Sequence, residues 1–330
     1  MYHDIHYYLI TLLILESLMR NRNALILGCS LATMAFTTTA NATPINLGDA
    51  KYYNGFFSDS FNSTANDSQG ALAIGGNAQL QGYTVNTLGQ SNVPAIVVGG
   101  DLQQDGGDIQ GDAFVGGTYT GVNGAGINGT LAQNIGGGLP VDFDSTFLQL
   151  NDLSDTLSTL GTSATSSWGQ VDYNGDGTTD QQIFNLTESS FESAWGFFAN
   201  DITQDQEVIV NVGGTHIDID SADYLVKATD WSWIGNDGNI LFNFYEAEEI
   251  ILGGAFHGTI LATDADIIAS GGSVDGQVIA KSWQGATQLN APLFQHSIDE
   301  PIEVPAPSVV LLFIGGLFSF RLFRRKIESI

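Results

Sequence analysis

Paired glycines punctuate the middle of this chain, at Gly75-Gly76, Gly99-Gly100, Gly116-Gly117, Gly213-Gly214, Gly253-Gly254 and Gly271-Gly272. Between them lie short β-type runs: Ala71–Ile74, Ala95–Val98, Val208–Val212, Ile240–Phe244, Ile250–Leu252 and Val274–Ala280. Successive pairs begin 24 residues apart (75 to 99), 17 apart (99 to 116) and 18 apart (253 to 271). Short strands joined at glycine corners with that spacing predict the coils of a β-solenoid, each coil burying its inward side chains against the next. Glycine supplies the positive φ that tight corners ask for. The spacing is irregular, so a β-sandwich stays open as the alternative.

One segment departs from this rhythm. Phe143, Phe147, Leu150, Leu153, Leu157 and Leu160 step at the helical period, with Pro140 upstream, Asp142 or Asp144 placed to cap, and Gly161 placed to stop. A long amphipathic helix laid along the solenoid wall is expected. A weaker helical turn is expected over Ser189–Phe198, with Phe191, Trp195 and Phe198 packed inward. The Ser/Thr-rich stretch from Gly161 to Gln170 reads as a surface loop.

Charge narrows the range of partners. The 330 residues carry Asp+Glu 36 against Lys+Arg 9, for a net charge of -27. Only Lys51, Lys227 and Lys281 stand between Thr43 and Glu300, against 32 acids. Phosphate neutralisation needs a basic surface, so nucleic acid is excluded. A hydrophobic share of 43% excludes a disordered acidic tail.

The other six basic residues mark the ends. Met19-Arg20-Asn21-Arg22, an apolar run from Ala24 to Phe36 and Ala40-Asn41-Ala42 form a secretory signal, with signal peptidase expected to cut after Ala42 and Met19 as the expected start. Cys29, the only cysteine, lies in a lipobox-like stretch with only six residues between it and Arg22, and is lost with the signal. The exported chain then holds its fold without a disulfide. At the other end, Val304-Pro305-Ala306-Pro307 precedes an apolar stretch from Val309 to Phe320 and the basic Arg321, Arg324, Arg325 and Lys326. The apolar stretch reads as a short transmembrane helix with its basic cluster cytoplasmic. This tail resembles the PEP-CTERM signal processed by exosortases of Gram-negative bacteria, with Ala306 where that family usually has Glu. The expected organisation is residues 1–42 as extension and signal, 43–300 as the working domain, and 301–330 as the sorting tail.

Three stretches carry a second resemblance: Gly70-Ala71-Leu72-Ala73-Ile74-Gly75-Gly76-Asn77, Gln182-Ile183-Phe184-Asn185-Leu186, and Ile240–Phe244 through Gly258-Thr259-Ile260-Leu261-Ala262 to Gly276-Gln277-Val278-Ile279-Ala280. From about Asn46 to Pro292 the chain resembles the choice-of-anchor A domain of bacterial surface proteins. Its closing stretch is also similar to the ice-binding right-handed β-solenoids, which carry one long helix beside the coils. These resemblances imply a right-handed β-solenoid with a lateral helix. They also imply an adhesive role at the cell envelope, the surface or the extracellular matrix, with exopolysaccharide or a neighbouring cell as partner, and no catalytic residues carry over.

The residues themselves offer a calcium loop. Asp172, Asn174, Asp176, the carbonyl of Thr178 and Asp180 follow EF-hand spacing with Gly177 in the turn, but Ile183 stands where a bidentate Glu belongs. The alternative is a plain Asn-Gly/Asp-Gly hairpin turn. Gly124-Ala125-Gly126-Ile127-Asn128-Gly129 fits a dinucleotide fingerprint, but no strand–helix unit follows it. His216, His257 and His296 are scattered singly, and each reads as solvated or satisfied. Paired acids at Asp218/Asp220 and Asp264/Asp266 keep a polysaccharide hydrolase open. Ice binding asks for a regular Thr array, of which only Thr118-x-Thr120 is found. Trp231-Ser232-Trp233 puts two indoles on one strand face, either as core or as a sugar platform. Trp168 and Trp283 are isolated. The expected outcome is a secreted, non-enzymatic adhesin with calcium as its only cofactor, against the alternatives of a hydrolase and an ice-binding protein.

Overall fold

The computed structural model describes residues 42–177, 179–203, 206–219 and 238–295. All of them but Ala42 belong to one compact unit that starts at Thr43. The expected signal, the Trp231/Trp233 pair, Asp220, His296 and the sorting tail lie outside the described residues.

The described chain winds into three parallel ladders. The first stacks eleven rungs in this spatial order: Thr162–Ser163, Gln181–Thr187, Glu207–Gly213, Ile240–Asn243, the start of Thr259–Ala269, the start of Val278–Gly285, Gly55–Phe57, Leu72–Ile74, Ile96–Val98, Ala113–Val115 and Leu131–Gln133. The second stacks His216–Ile219, Glu249–Leu252, the ends of those same two long strands, Phe61–Thr64, Ala78–Gln81, Leu102–Asp105 and Tyr119–Val122. Shorter parallel pairings close the third side, among them Phe256–His257 with Ser273–Asp275 and Gln288–Asn290. This mostly-β, parallel architecture is of the β-solenoid kind, and among the described residues no two-sheet antiparallel sandwich forms.

Spatial order is not chain order. The opening strand Gly55–Phe57 lies between Val278–Ala280 on one side and Leu72–Ile74 on the other. The chain therefore starts mid-solenoid, climbs to Leu131–Gln133, crosses to the opposite end, and winds back to meet its own first coil. Helix α1 (Phe143–Ser158) lies in the segment that makes the crossing. Asp142 caps it, its carboxylate accepting from Ser145 N–H at 3.1 Å. Phe147, Leu150, Leu153 and Leu157 bury against Phe56, Ala73, Val97, Ile209, Leu241, Leu261 and Ile279, the outward side chains of the first ladder. The central rungs of that ladder, from Glu207–Gly213 to Ile96–Val98, are thus buried on both faces and read as largely apolar runs for that reason.

An amide ladder ties the last turns of α1 to three rungs. Asn211 donates to the Leu157 carbonyl at 2.7 Å and to Asn185 at 2.8 Å. Asn243 donates to the Ser154 carbonyl at 2.9 Å and to Asn211 at 2.9 Å, while Ser154 Oγ donates back to Asn243 at 2.6 Å. The sheet amides thus fasten the end of the helix, sharing the Leu157 carbonyl with the N–H of Leu160.

Two local expectations need correction. The turn over Ser189–Phe198 is a short helix α2 (Glu188–Glu192) followed by the strand Gly196–Asn200, which pairs with Gln170–Asn174. Phe191 and Phe197 go inward, and Trp195 is left at the surface, because the helix ends at Glu192 and the Phe-Phe pair joins a ladder. The stretch 161–170 is exposed as expected, but it contains the strands Thr162–Ser163 and Thr165–Ser167. The corner glycines bear out the expectation in part: Gly214 and Gly272 have positive φ, at +138° and +76°. Gly75, Gly99 and Gly116 do not have positive φ. A Cβ on Gly99 would lie 1.9 Å from the Gly75 carbonyl oxygen, and one on Gly116 would lie 2.1 Å from that of Gly99. Close stacking of coil on coil, not turn handedness, demands glycine there.

Candidate binding face

The second ladder presents a regular surface of eight rungs. Strand alternation sends Phe61, Leu80 and Leu102 inward and Asn62, Gln79, Gln81 and Gln103 outward. Register aligns the outward positions into a column: Asp218, Ile251, Ile268, Gln284, Asn62, Gln79, Gln103 and Thr120. Eight rungs at about 4.8 Å spacing give a face about 34 Å long. Along it Gln79 donates to Gln103 at 3.3 Å.

A neighbouring column carries the charge. His216 Nδ1 lies 2.9 Å from Glu249, and Lys281 Nζ lies 2.8 Å from Asp266, which also accepts from Ser282 Oγ at 2.6 Å. Burial pushes the Asp266 carboxyl up, but the Lys281 and Ser282 hydrogen bonds and the Lys281 charge outweigh it and hold it below the usual carboxylate range. Lys281 is correspondingly raised by its hydrogen bond to Asp266.

The amide-rich end of the face holds a depression of about 470 Å³, lined by Asn62, Gln79, Gln81, Gln103, Asp105 and Thr120 among others. Asp105 is the one carboxylate in its lining. Side-chain caps continue the order at the corner beside it: Asp101 N–H bonds to Asn77 Oδ1 at 2.8 Å, and Thr118 N–H to Asp101 Oδ1 at 2.7 Å. This surface can accept and donate hydrogen bonds at regular intervals. Glu249 and Asp266 face each other on adjacent rungs of the charged column, each held by its own basic partner, His216 and Lys281.

The expected site residues are placed as follows. Asp172 lies in the strand Gln170–Asn174, and its carboxylate accepts from Gln170 at 3.0 and 3.1 Å. Asn174 accepts from Asn200 at 3.0 Å. Asp176 accepts from Thr179 N–H at 2.9 Å and from Gln182 at 2.8 Å. Thr178 lies outside the described residues, and Asp180 joins no group of three acids or histidines able to hold a metal among them. Protein donors thus reach the carboxylates of Asp172 and Asp176. Asp264 is exposed, while Asp266 is taken up by Lys281. Trp283 is buried in the lumen, stacked on Phe61. Gly126–Ile127 of the dinucleotide-like match is a two-residue strand, with no helix following it.

The column of Asn62, Gln79 and Gln103 went unremarked in the sequence. Its signal is the alternation after each glycine pair, Gly76-Asn77-Ala78-Gln79-Leu80-Gln81 and Gly100-Asp101-Leu102-Gln103-Gln104-Asp105.

Residues 46–291 match the family model described as Putative Ice-binding-like adhesive domain. The chain belongs to that family. The adhesive domain thus takes in all three ladders and α1. No curated protein sequence matches the chain. Two solved structures are similar in part: an ice-binding protein from an Antarctic biological consortium, at TM-score 0.36 and 12% identity over 79% of this chain and 98% of that one, and an ice-binding protein from the Antarctic ascomycete Antarctomyces psychrotrophicus, at TM-score 0.31 and 14% identity over 77% and 99%. At TM-scores this low, the likeness bears on neither ligand nor chemistry.

Proposed function

We propose that this adhesive domain holds a hydroxylated polymer, an exopolysaccharide or a neighbouring cell surface, through the flat face of its second ladder, and does not transform it. The observation that carries this reading is the unbroken register of five rungs, Gln284, Asn62, Gln79, Gln103 and Thr120, which repeats amide and hydroxyl side chains at a fixed interval over about 19 Å. A repeating polymer meets a repeating surface, and many modest hydrogen bonds add along it. A chain of net charge -27 is suited to a neutral polymer better than to an anionic one. In this reading the chain is a choice-of-anchor A-type surface protein. It is exported by a signal cut after Ala42 and routed to the envelope by an exosortase acting at Val304–Pro307, with Arg321, Arg324, Arg325 and Lys326 holding the tail in the inner membrane meanwhile. Among the described residues no helix is long and apolar enough to cross a membrane, and the tail is not among them.

Binding of the full chain to immobilised dextran, cellulose and alginate, with calcium and with chelator, tests the reading. The Gln79→Ala/Gln103→Ala double variant should weaken retention about tenfold, from the loss of two to three hydrogen bonds, with an unchanged melting temperature. Release of reducing ends would favour the hydrolase instead, and thermal hysteresis with no polymer binding would favour an ice-binding protein. Loss of retention in chelator would bring calcium into the mechanism.

A further inference from the structure

A second surface feature lies apart from that face. Thr165–Ser167 and Gln170–Asn174 form an antiparallel hairpin in which Thr165 faces Asp172, Ser166 faces Val171 and Ser167 faces Gln170. Two residues remain for the turn, Trp168 at φ +55° and Gly169 at φ +80°. Two positive φ values in a two-residue hairpin loop define a type I′ turn, whose first position favours Asn, Asp or Gly. A tryptophan there is strained. The fold gains nothing from its ring in return, because Trp168 is 97% exposed.

The turn beneath that ring is fixed. The Trp195 indole N–H donates to the Trp168 carbonyl at 2.9 Å, and Trp195 N–H donates to the Gly169 carbonyl at 2.7 Å. Trp195 is itself 41% exposed, its ring edge-on to Phe198. A Cβ on Gly169 would sit 2.9 Å from Trp195 Cδ1, so only glycine lets the turn rest there. Exposed hydroxyls of Thr165, Ser166 and Ser167 flank the tip. A strained, fully exposed aromatic on a rigid base is the kind of residue that a ligand, and not the fold, retains.

We propose that the Trp168–Trp195 turn is a glycan-binding site that stacks the apolar face of a neutral pyranose ring on the Trp168 indole and takes its hydroxyls on the Ser/Thr flank. Indole combines an apolar face with a polar edge, which suits a sugar ring. The acidic chain disfavours an anionic lipid surface or a polyuronate at the same spot. The site is separate from the second-ladder face and stands if that reading fails.

Native affinity electrophoresis of the full chain in gels containing laminarin, galactomannan or dextran tests it, with alginate and phosphatidylcholine/phosphatidylglycerol vesicles as competitors for the assignment. At least one neutral glycan should retard the protein. Trp168→Ala should weaken that retardation about tenfold, the size of one aromatic stacking contact. Trp168→Asn should lose binding equally while holding or raising the melting temperature, since Asn suits the turn. The Gln79→Ala/Gln103→Ala variant should keep the Trp168-dependent part. Equal retardation of wild type and both Trp168 variants overturns the proposal, as does no retardation in any neutral glycan, or Trp168-dependent binding to vesicles or alginate alone.

Discussion

Burial pushes the Glu207 carboxyl up to about 7, against a hydrogen bond from Gln181 that pulls it down. The same Gln181 side chain pairs with Thr43 on both sides, accepting from its N–H at 2.8 Å and donating to its carbonyl. In the unfolded chain Glu207 ionises near 4.5, so between that pH and about 7 the folded state binds more protons. Stability is then full below the unfolded pKa and falls as pH rises, by on the order of 3 kcal/mol in total. Melting temperature measured from pH 5 to pH 7.5 should fall for the native chain and stay level for Glu207→Gln. Asp266 and Asp275 are both lowered, the latter first by its hydrogen bond from His257, so their contributions are lost only in more acid solution, as pH drops below the usual carboxylate range. A flat profile in the native chain would show Glu207 ionised in the fold. None of this was legible in the sequence, where Glu207 is one acid among 36 and only its place beneath Thr43 and Gln181 sets it apart.

Helix α1 was legible because its stripe repeats at 3.6 residues and its cap is local. What it packs on was not, since Phe56, Leu241 and Ile279 meet only after the coils close. The amide ladder is the element most exposed to error. Asn243→Leu removes a buried donor and leaves Ser154 and Asn211 short of partners, at a cost of about 2–4 kcal/mol. Leu150→Ala, by comparison, costs about 2–5 kcal/mol through the cavity it opens. Urea denaturation of the two variants should give similar midpoint losses. A loss under about 0.5 kcal/mol for Asn243→Leu would mean that water replaces the amide. The second helical turn is present but stops at Glu192, so only its extent was misjudged, because Phe191, Trp195 and Phe198 fit a helical step by coincidence. The real period there is two, with Phe197 inward, and a five-residue helix ahead of the strand blurs it. At the candidate face the inward residues were legible as apolar runs. The outward column was not, because register across coils of unequal length lines up Asn62, Gln79, Gln103 and Thr120, and no single stretch of chain contains it.

Across the molecule, glycine rhythm gave the solenoid class but not the order of its coils. Coil length alone cannot say that Gly55 pairs with Val278, since that contact depends on the crossing segment that carries α1. Ending the chain after Asp275 removes Val278–Gly285 and Gln288–Asn290. This strips Gly55–Phe57 and Phe61–Thr64 of a partner each and exposes Trp283's neighbours Phe57 and Phe61. Circular dichroism of the truncated chain should show the cooperative transition gone, while a chain ending after Gln295 melts in one step. A residual cooperative transition in the shorter form would mean that the two halves are independent.

The meeting of first and last coils also sets a schedule. A polypeptide made N-terminus first presents its opening strands early, yet their second neighbours are still more than two hundred residues behind. The stack of coils is therefore a clasp with its hook at the front and its eye at the back. It stays undone throughout synthesis and snaps shut only when the far end of the domain has emerged.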